Sequence, residues 1–167
     1  MSTPELNTKA GKDIRRSSQL RVDGVHPAEE SVFPHLPYAD AVYTALAATG
    51  QTPEVLESGL RQSAQGVLFL RLVWPPGHTS LGRAVRGEGL SLVWSHHSGW
   101  SAHTACDSRV LDVDTLAAPR LLAHAARHLA AHGLRTRWRP PAGPARWEHA
   151  AALAGALADF DDREAVR

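Results

Sequence analysis

Residues 67–74 read VLFLRLVW and residues 90–100 read LSLVWSHHSGW, and the fold turns on how these two runs are taken. The first is dense in β-branched, aromatic and large aliphatic side chains, and its one charge, Arg71, interrupts an otherwise continuous apolar run. It reads as a central strand. Pro75, Pro76 and Gly77 stop it, because neither proline can donate to a ladder of sheet hydrogen bonds. In the second stretch, LSLVW and GWSAHTA are short runs parted by SHHS, which is hairpin grammar. RVLDVD, from Arg109, reads as a further consecutive strand.

Working outward, the sequence PYADAVYTALAATG from Pro37 places Tyr38, Val42, Ala45 and Leu46 at helical spacing, with Gly50 positioned to end the helix. Residues 51–65 fit two readings equally. Pro53 can start a helix holding Val55, Leu56 and Leu60, whereas Gly59 and the short apolar run suit a strand. Residues 78–89 read as a loop or a short turn of helix. Beyond the strands, Ala117 to His132 sets Ala118, Leu121, Leu122, Ala125 and Leu129 on one face and is closed by Gly133, an amphipathic helix. LRTRW alternates Leu134, Thr136 and Trp138 against Arg135, Arg137 and Arg139, as an edge strand with a cationic outer side would. RPPAGP is loop, and a last helix is expected from about Ala145 to Phe160, burying Trp147, Ala150, Ala154 and Leu157. The sum is an α+β domain: a mostly antiparallel sheet of four to five strands with helices packed on one face.

A chain of 167 residues supplies one such domain. Its hydrophobic share of 43% includes 27 Ala, while Leu, Ile, Val and Phe together number 36, so the core is small. Residues 1–31 mix Ser, Thr, Gly and Pro with balanced charge and no apolar period, and are expected to form a disordered arm. The domain is then expected over 32–160, with a charged tail at 161–167. Lys12, Arg15, Arg16 and Arg21 are offset by acidic neighbours, which argues against an electrostatic grip on DNA. The single Cys106 cannot form an internal disulfide, and neither a signal-peptide run nor a membrane span is visible. A cytoplasmic protein with no membrane partner is the expectation.

Ten histidines are the one excess in the composition. His96, His97, His103 and Cys106 are the tightest group, and zinc would need three or four such donors at about 2.0 to 2.3 Å. A turn pair should direct its two rings apart, His103 alternates away from its strand neighbours, and no second thiol accompanies Cys106, so solvated turn histidines are expected. His124, His128 and His132 recur every fourth residue on the amphipathic helix. The residue after His124 is Ala125 rather than the Glu a zincin requires, and packing at the helix boundary is expected instead. No G-x-S-x-G elbow occurs, Asp112 and Asp114 have no identifiable proton acceptor beside them, and GRAVRGEG fits no phosphate-binding glycine spacing. No cofactor is implied.

Charge is unevenly divided although its formal sum is only +1. Residues 61–149 hold eleven basic and five acidic side chains. Arg135, Arg137, Arg139 and Arg146, interleaved with Trp138 and Trp147, could form the cationic and aromatic strip that single-stranded nucleic acids use. The competing reading is an edge protected by charge from pairing with another sheet. Trp94 and Trp100 flank SHHSG closely enough to pair across strands, either as core or as an exposed stacking platform.

In the order PYADAVYTAL, GVLFLRLVW, LSLVWSHHSGW and AAPRLLAHAARHL, the chain resembles a family of small actinobacterial α/β proteins of unknown function, over residues about 37–132. The shared motifs are packing motifs, so the resemblance implies helix, strands, hairpin and helix without an activity. More remotely, the element order is similar to secretion-chaperone-like domains, which implies protein binding by an α/β sandwich. The leading expectation is therefore a non-enzymatic protein-interaction or regulatory module that meets an unidentified protein partner near Trp94, Trp100 and Trp138. The alternative is a nucleic-acid-binding accessory protein using Arg135, Arg137, Arg139 and Arg146. A third is a metal-dependent hydrolase built on His96, His97, His103 and Cys106.

Overall fold

The computed structural model describes residues 33–62 and 66–166. The expectation of a disordered arm over 1–31 lies outside these residues. The elements run α1 (Leu36–Ala48), β1 (Val55–Arg61), β2 (Val67–Trp74), β3 (Leu90–Ser95), β4 (Gly99–His103), β5 (Ser108–Val110), α2 (Pro119–His132) and α3 (Ala150–Ala165). The five strands form one antiparallel sheet in sequence order, so every strand pairs with its chain neighbour. This is an α+β fold with its helices over one face of the sheet. No helix among the described residues is long and apolar enough to cross a membrane.

Period-two alternation decides which sheet face is covered. Leu68, Leu70, Leu72 and Trp74 of β2, Leu90, Leu92 and Trp94 of β3, and Trp100 and Ala102 of β4 are all buried. The intervening residues face the other way and are half-buried. Arg71 is one of them, which explains a charge inside the apolar run. It lies opposite Glu57 in register and donates to that carboxylate at 3.1 Å. On the same face the Arg61 guanidinium sits 4.6 Å from the centre of the Phe69 ring, shielding an aromatic that the helices do not cover. β2 is thus an interior strand with one solvated face. Its pairing with Val55–Arg61 also decides the ambiguous segment in favour of a strand.

Three expectations are corrected by where the backbone hydrogen bonds go. LRTRW forms no strand, because Arg109 Nη1 donates to the carbonyls of Leu134 and Thr136, both at 3.1 Å, and no strand partner is present for the segment. The run at 109–114 keeps a strand only to Val110: the Leu111 amide still donates in register to Trp100 O at 2.9 Å, and the chain then folds back locally, with Val113 N donating to Leu111 O at 2.9 Å. The last helix starts five residues later than expected. Residues 145–147 are held instead against 116–118, with Ala118 N donating to Ala145 O at 3.0 Å and Trp147 N to Leu116 O at 2.8 Å. That helix then continues to Ala165, so most of the expected tail at 161–167 is helical, and it buries Leu153, Leu157 and Phe160 while Ala154 faces solvent.

Small side chains let the helices lie close to the sheet and to the loops. Ala123, Ala125, Ala126 and Ala130 of α2 are all buried, and Gly82 of the 75–89 connection donates its amide to Ala130 O at 2.8 Å. A Cβ on Gly82 would lie 2.9 Å from Ala131 O and 3.0 Å from Ala130 O, so only glycine permits that approach.

The aromatic core is ordered by its polar ends. Tyr38 of α1 stands edge-on to both Trp94 and Trp100, with ring centroids 5.8 and 6.2 Å away. Its hydroxyl donates to Ala117 O at 2.8 Å and accepts from Trp100 Nε1 at 3.1 Å, while Trp94 Nε1 donates to Thr115 O at 2.7 Å. Burial, above all, keeps the Tyr38 hydroxyl protonated far above the ordinary phenol range. Replacing Tyr38 with Phe leaves the Trp100 indole N–H and the Ala117 carbonyl unpaired in the core. Urea unfolding of Tyr38→Phe should show a loss of about 1–3 kcal/mol; a loss within error of zero would mean that the relay contributes nothing.

His35, at the start of α1, is a buried histidine, 1% exposed. Its ring stacks on Trp94 with centroids 5.7 Å apart, and its Nε2 lies 3.1 Å from Phe69 O and 2.8 Å from Ser58 Oγ. Burial lowers its pKa to about 4, against the opposing hydrogen bond to Phe69 and with help from the nearby His96. Between about 4 and the ordinary 6.5 the unfolded chain therefore holds the additional proton. Stability is complete above that window and declines as pH falls through it, by at most on the order of 3 kcal/mol. Comparing unfolding at pH 7 and pH 4.5, the His35→Gln variant should lose markedly less than the parent; equal losses would assign the acid sensitivity to other groups.

Candidate functional site

A concavity of about 970 Å³ lies between α1 and α2. Its α1 wall is Ala41, Thr44, Ala45 and Ala48, whose spacing puts them along one helical face. Its α2 wall is Arg120, Ala123, His124 and Arg127. Four small side chains from one helix and an alanine from the other leave a valley rather than an interdigitated seam. One end is closed by Trp147, with Pro144, Arg146 and Glu148 beside it.

Trp147 is held in place from two sides. Its amide donates to Leu116 O, and its ring leans on Tyr38 with centroids 5.1 Å apart. The indole is only half-buried, so part of it faces the groove. Arg146 Nε meets Asp114 Oδ2 at 3.1 Å, which anchors the segment next to it. Asp114 also accepts from the Leu116 amide at 2.9 Å, a turn-forming bond consistent with a local role for this carboxylate. Arg120 and Arg127 make no ion pair among the described residues, and Glu148 is the single acidic side chain on the lining. An apolar floor, an aromatic end wall and uncompensated guanidinium groups at the rim therefore converge.

The tryptophans expected at a partner surface are placed otherwise. Trp94, Trp100 and Trp138 are only 0%, 1% and 8% exposed, so they are core and cannot form the face of a docking surface. The physical reason is the pleat: Trp94 and Trp100 are direct partners in the β3–β4 register, and both point to the helix-covered side. Trp138 is drawn in by its indole N–H, which donates to His124 Nδ1 at 3.0 Å. The expected cationic and aromatic strip is divided by ion pairs and by the burial of Trp138. Arg135 pairs with Asp107 at 3.1 Å and Arg146 with Asp114, while Arg137 and Arg139 are exposed and free of ion pairs among the described residues.

The expected metal group is also rearranged. His103 Nε2 lies 2.8 Å from Ser101 Oγ on the open face of the sheet, and Cys106 is exposed on the turn beyond it. Neither joins His96 and His97. Those two do not point apart as a turn pair should; their ring centroids are 3.8 Å apart. Ser95 pairs with Gly99, leaving a three-residue loop, and the positive φ of Gly99, 71°, closes it tightly enough to bring the rings together. Asp161 of α3 then meets them, 2.9 Å from His96 Nε2 and 3.9 Å from His97 Nε2. On the α2 stripe His124 and His132 are exposed and only His128 is half-buried, and its Nε2 is shielded from water with no partner among the described residues, so the expected boundary packing holds only in part. His124 covers Trp138, and burial, followed by His132 and His124, lowers the pKa of His128.

The groove has one signal in sequence. In PYADAVYTALAATG the only charge is Asp40, so the side of α1 that faces away from the sheet offers alanine and threonine where a fully solvated helix would carry ions. Trp147 could not be assigned to its end wall beforehand, because the pairing of 145–147 with 116–118 is a contact between distant segments. Comparison with known protein families, with curated proteins and with solved structures finds no match to this chain.

Proposed function

We propose that the protein is a non-enzymatic protein-interaction or regulatory module, and that it takes an acidic amphipathic helix of another protein into the groove between α1 and α2. The observation that carries this reading is the groove itself, lined by alanines and by two arginines, Arg120 and Arg127, that make no ion pair among the described residues. An amphipathic helix can lay apolar side chains along Ala41, Ala45 and Ala123 and turn carboxylates toward the rim. Trp147 supplies a large, partly apolar anchor surface at the end, the kind of residue on which interfaces concentrate binding energy. The remote likeness in element order to secretion-chaperone-like domains, an analogy of fold alone, is in keeping with protein binding.

The test uses two synthetic helical peptides with identical leucine positions, one rich in Glu and one rich in Lys, together with a short oligodeoxythymidylate. Titrations followed by calorimetry should show the Glu-rich peptide binding, with affinity falling as salt rises. The double variant Arg120→Glu, Arg127→Glu should weaken it by at least about tenfold, and Ala45→Arg should block it by filling the floor. Binding that survives Ala45→Arg, or no peptide binding at low salt, would overturn the proposal. Preferential binding of the oligonucleotide, lost on changing Arg137 and Arg139, would replace it with the nucleic-acid reading.

A further inference from the structure

We propose that His96, His97 and Asp161 form a zinc-binding site that clamps α3 to the β3–β4 turn. One ligand atom from each of the three side chains lies within 4.8 Å of the others. Tetrahedral Zn²⁺ with bonds near 2.0–2.1 Å holds its donors about 3.4 Å apart. The observed separations from Asp161 Oδ1 bracket that value, at 2.9 Å to His96 and 3.9 Å to His97. Closing the set needs only side-chain adjustments, and the two side chains that must move furthest, His97 and Asp161, are 44% and 42% exposed. Two imidazoles and one carboxylate are a donor set suited to zinc, whereas magnesium and calcium require oxygen ligands throughout. Three protein ligands leave a fourth position for water.

The fixed member of the set is His96, whose side chain is 1% exposed and whose ring meets Phe160 edge-on at 5.8 Å. Its other nitrogen has a partner in either tautomer. Leu68 N lies 3.1 Å from His96 Nδ1 and Leu68 O lies 3.4 Å from it. Without metal, Nδ1 accepts from the Leu68 amide and Nε2–H donates to Asp161. With metal, the proton passes through solvent from Nε2 to Nδ1, which gives up the bond from the Leu68 amide and donates to Leu68 O instead, and Nε2 presents its lone pair to the ion. Histidine ligands are commonly held by such a backbone carbonyl on the far nitrogen. The clamp joins elements far apart in sequence, so bound zinc stabilises the folded chain by mass action.

The experiment titrates Zn²⁺ into untagged, chelator-treated protein in competition with a chromophoric chelator, and follows thermal unfolding in parallel. One zinc per chain should bind and raise the melting temperature. His97→Gln and Asp161→Asn should each weaken binding by at least about tenfold, whereas His103→Gln and His132→Gln should leave it unchanged. Both informative positions are partly exposed, and circular dichroism verifies that the variants are folded. Absence of saturable zinc binding, or binding unaffected by both His97→Gln and Asp161→Asn, would overturn the assignment. Because none of these residues lines the groove between α1 and α2, failure here leaves peptide binding there untouched.

Discussion

The constraint on which the rest of this structure depends is the need to satisfy buried aromatic donors. The buried Trp74 indole N–H has no partner among the described residues, but Trp94, Trp100 and Tyr38 bring their apolar rings into the same core and each pairs the N–H or O–H it carries. All three are answered, directly or through Tyr38, by carbonyls of residues 115–117. That short segment is therefore fixed against the sheet before α2 begins at Pro119. Pinning it has a second consequence. The outer edge of the same segment pairs with residues 145–147, delaying the start of α3 and setting Trp147 at the end of the groove.

The groove and the core consequently share one cause. Tyr38 is part of both: its hydroxyl holds the Trp100 indole, and its ring supports Trp147. The alanine content acts in two ways at once. On the buried side of α2 it permits close approach to the sheet and to Gly82, and on the facing sides of α1 and α2 it leaves space unfilled. A chain with larger aliphatic residues at Ala45 and Ala123 would close that space with its own side chains. The cationic rim arises because Arg120 and Arg127 have no acidic side chain at a pairing distance among the described residues, while Arg135 and Arg146 do.

Much of the fold was legible in the sequence because it rests on local periodicity. VLFLRLVW, the SHHSG hairpin, the helix closed by Gly50 and the helix closed by Gly133 all lie where spacing placed them. The errors fall where a distant partner outweighs local pattern. LRTRW alternates like a strand, yet the Arg109 side chain takes two of its carbonyls; EHAAALAG could continue a helix backwards, yet its lead-in is already paired. The candidate sites show the same division. The His96 and His97 pair was visible in sequence, but Asp161 stands 65 positions from His96 and no spacing rule links them. Arg71 shows the reverse case, a charge that interrupts an apolar run and marks the open face once the register with Glu57 is known.

By itself the sequence determined the class of structure, α+β, together with the helices that follow Pro37 and Ala117, the strand at VLFLRLVW, the hairpin around SHHSG and the glycines and prolines that end them. These follow from dihedral preferences and from repeats of 2 and 3.6 residues, which act between near neighbours. Only the tertiary structure decided that the tryptophans are core, that Trp147 and two unpaired arginines border an alanine-lined groove, and that a helix carboxylate meets the turn histidines. Such contacts join residues tens of positions apart, and they are selected by hydrogen-bond satisfaction and packing volume in the assembled core, quantities that no local stretch of chain contains.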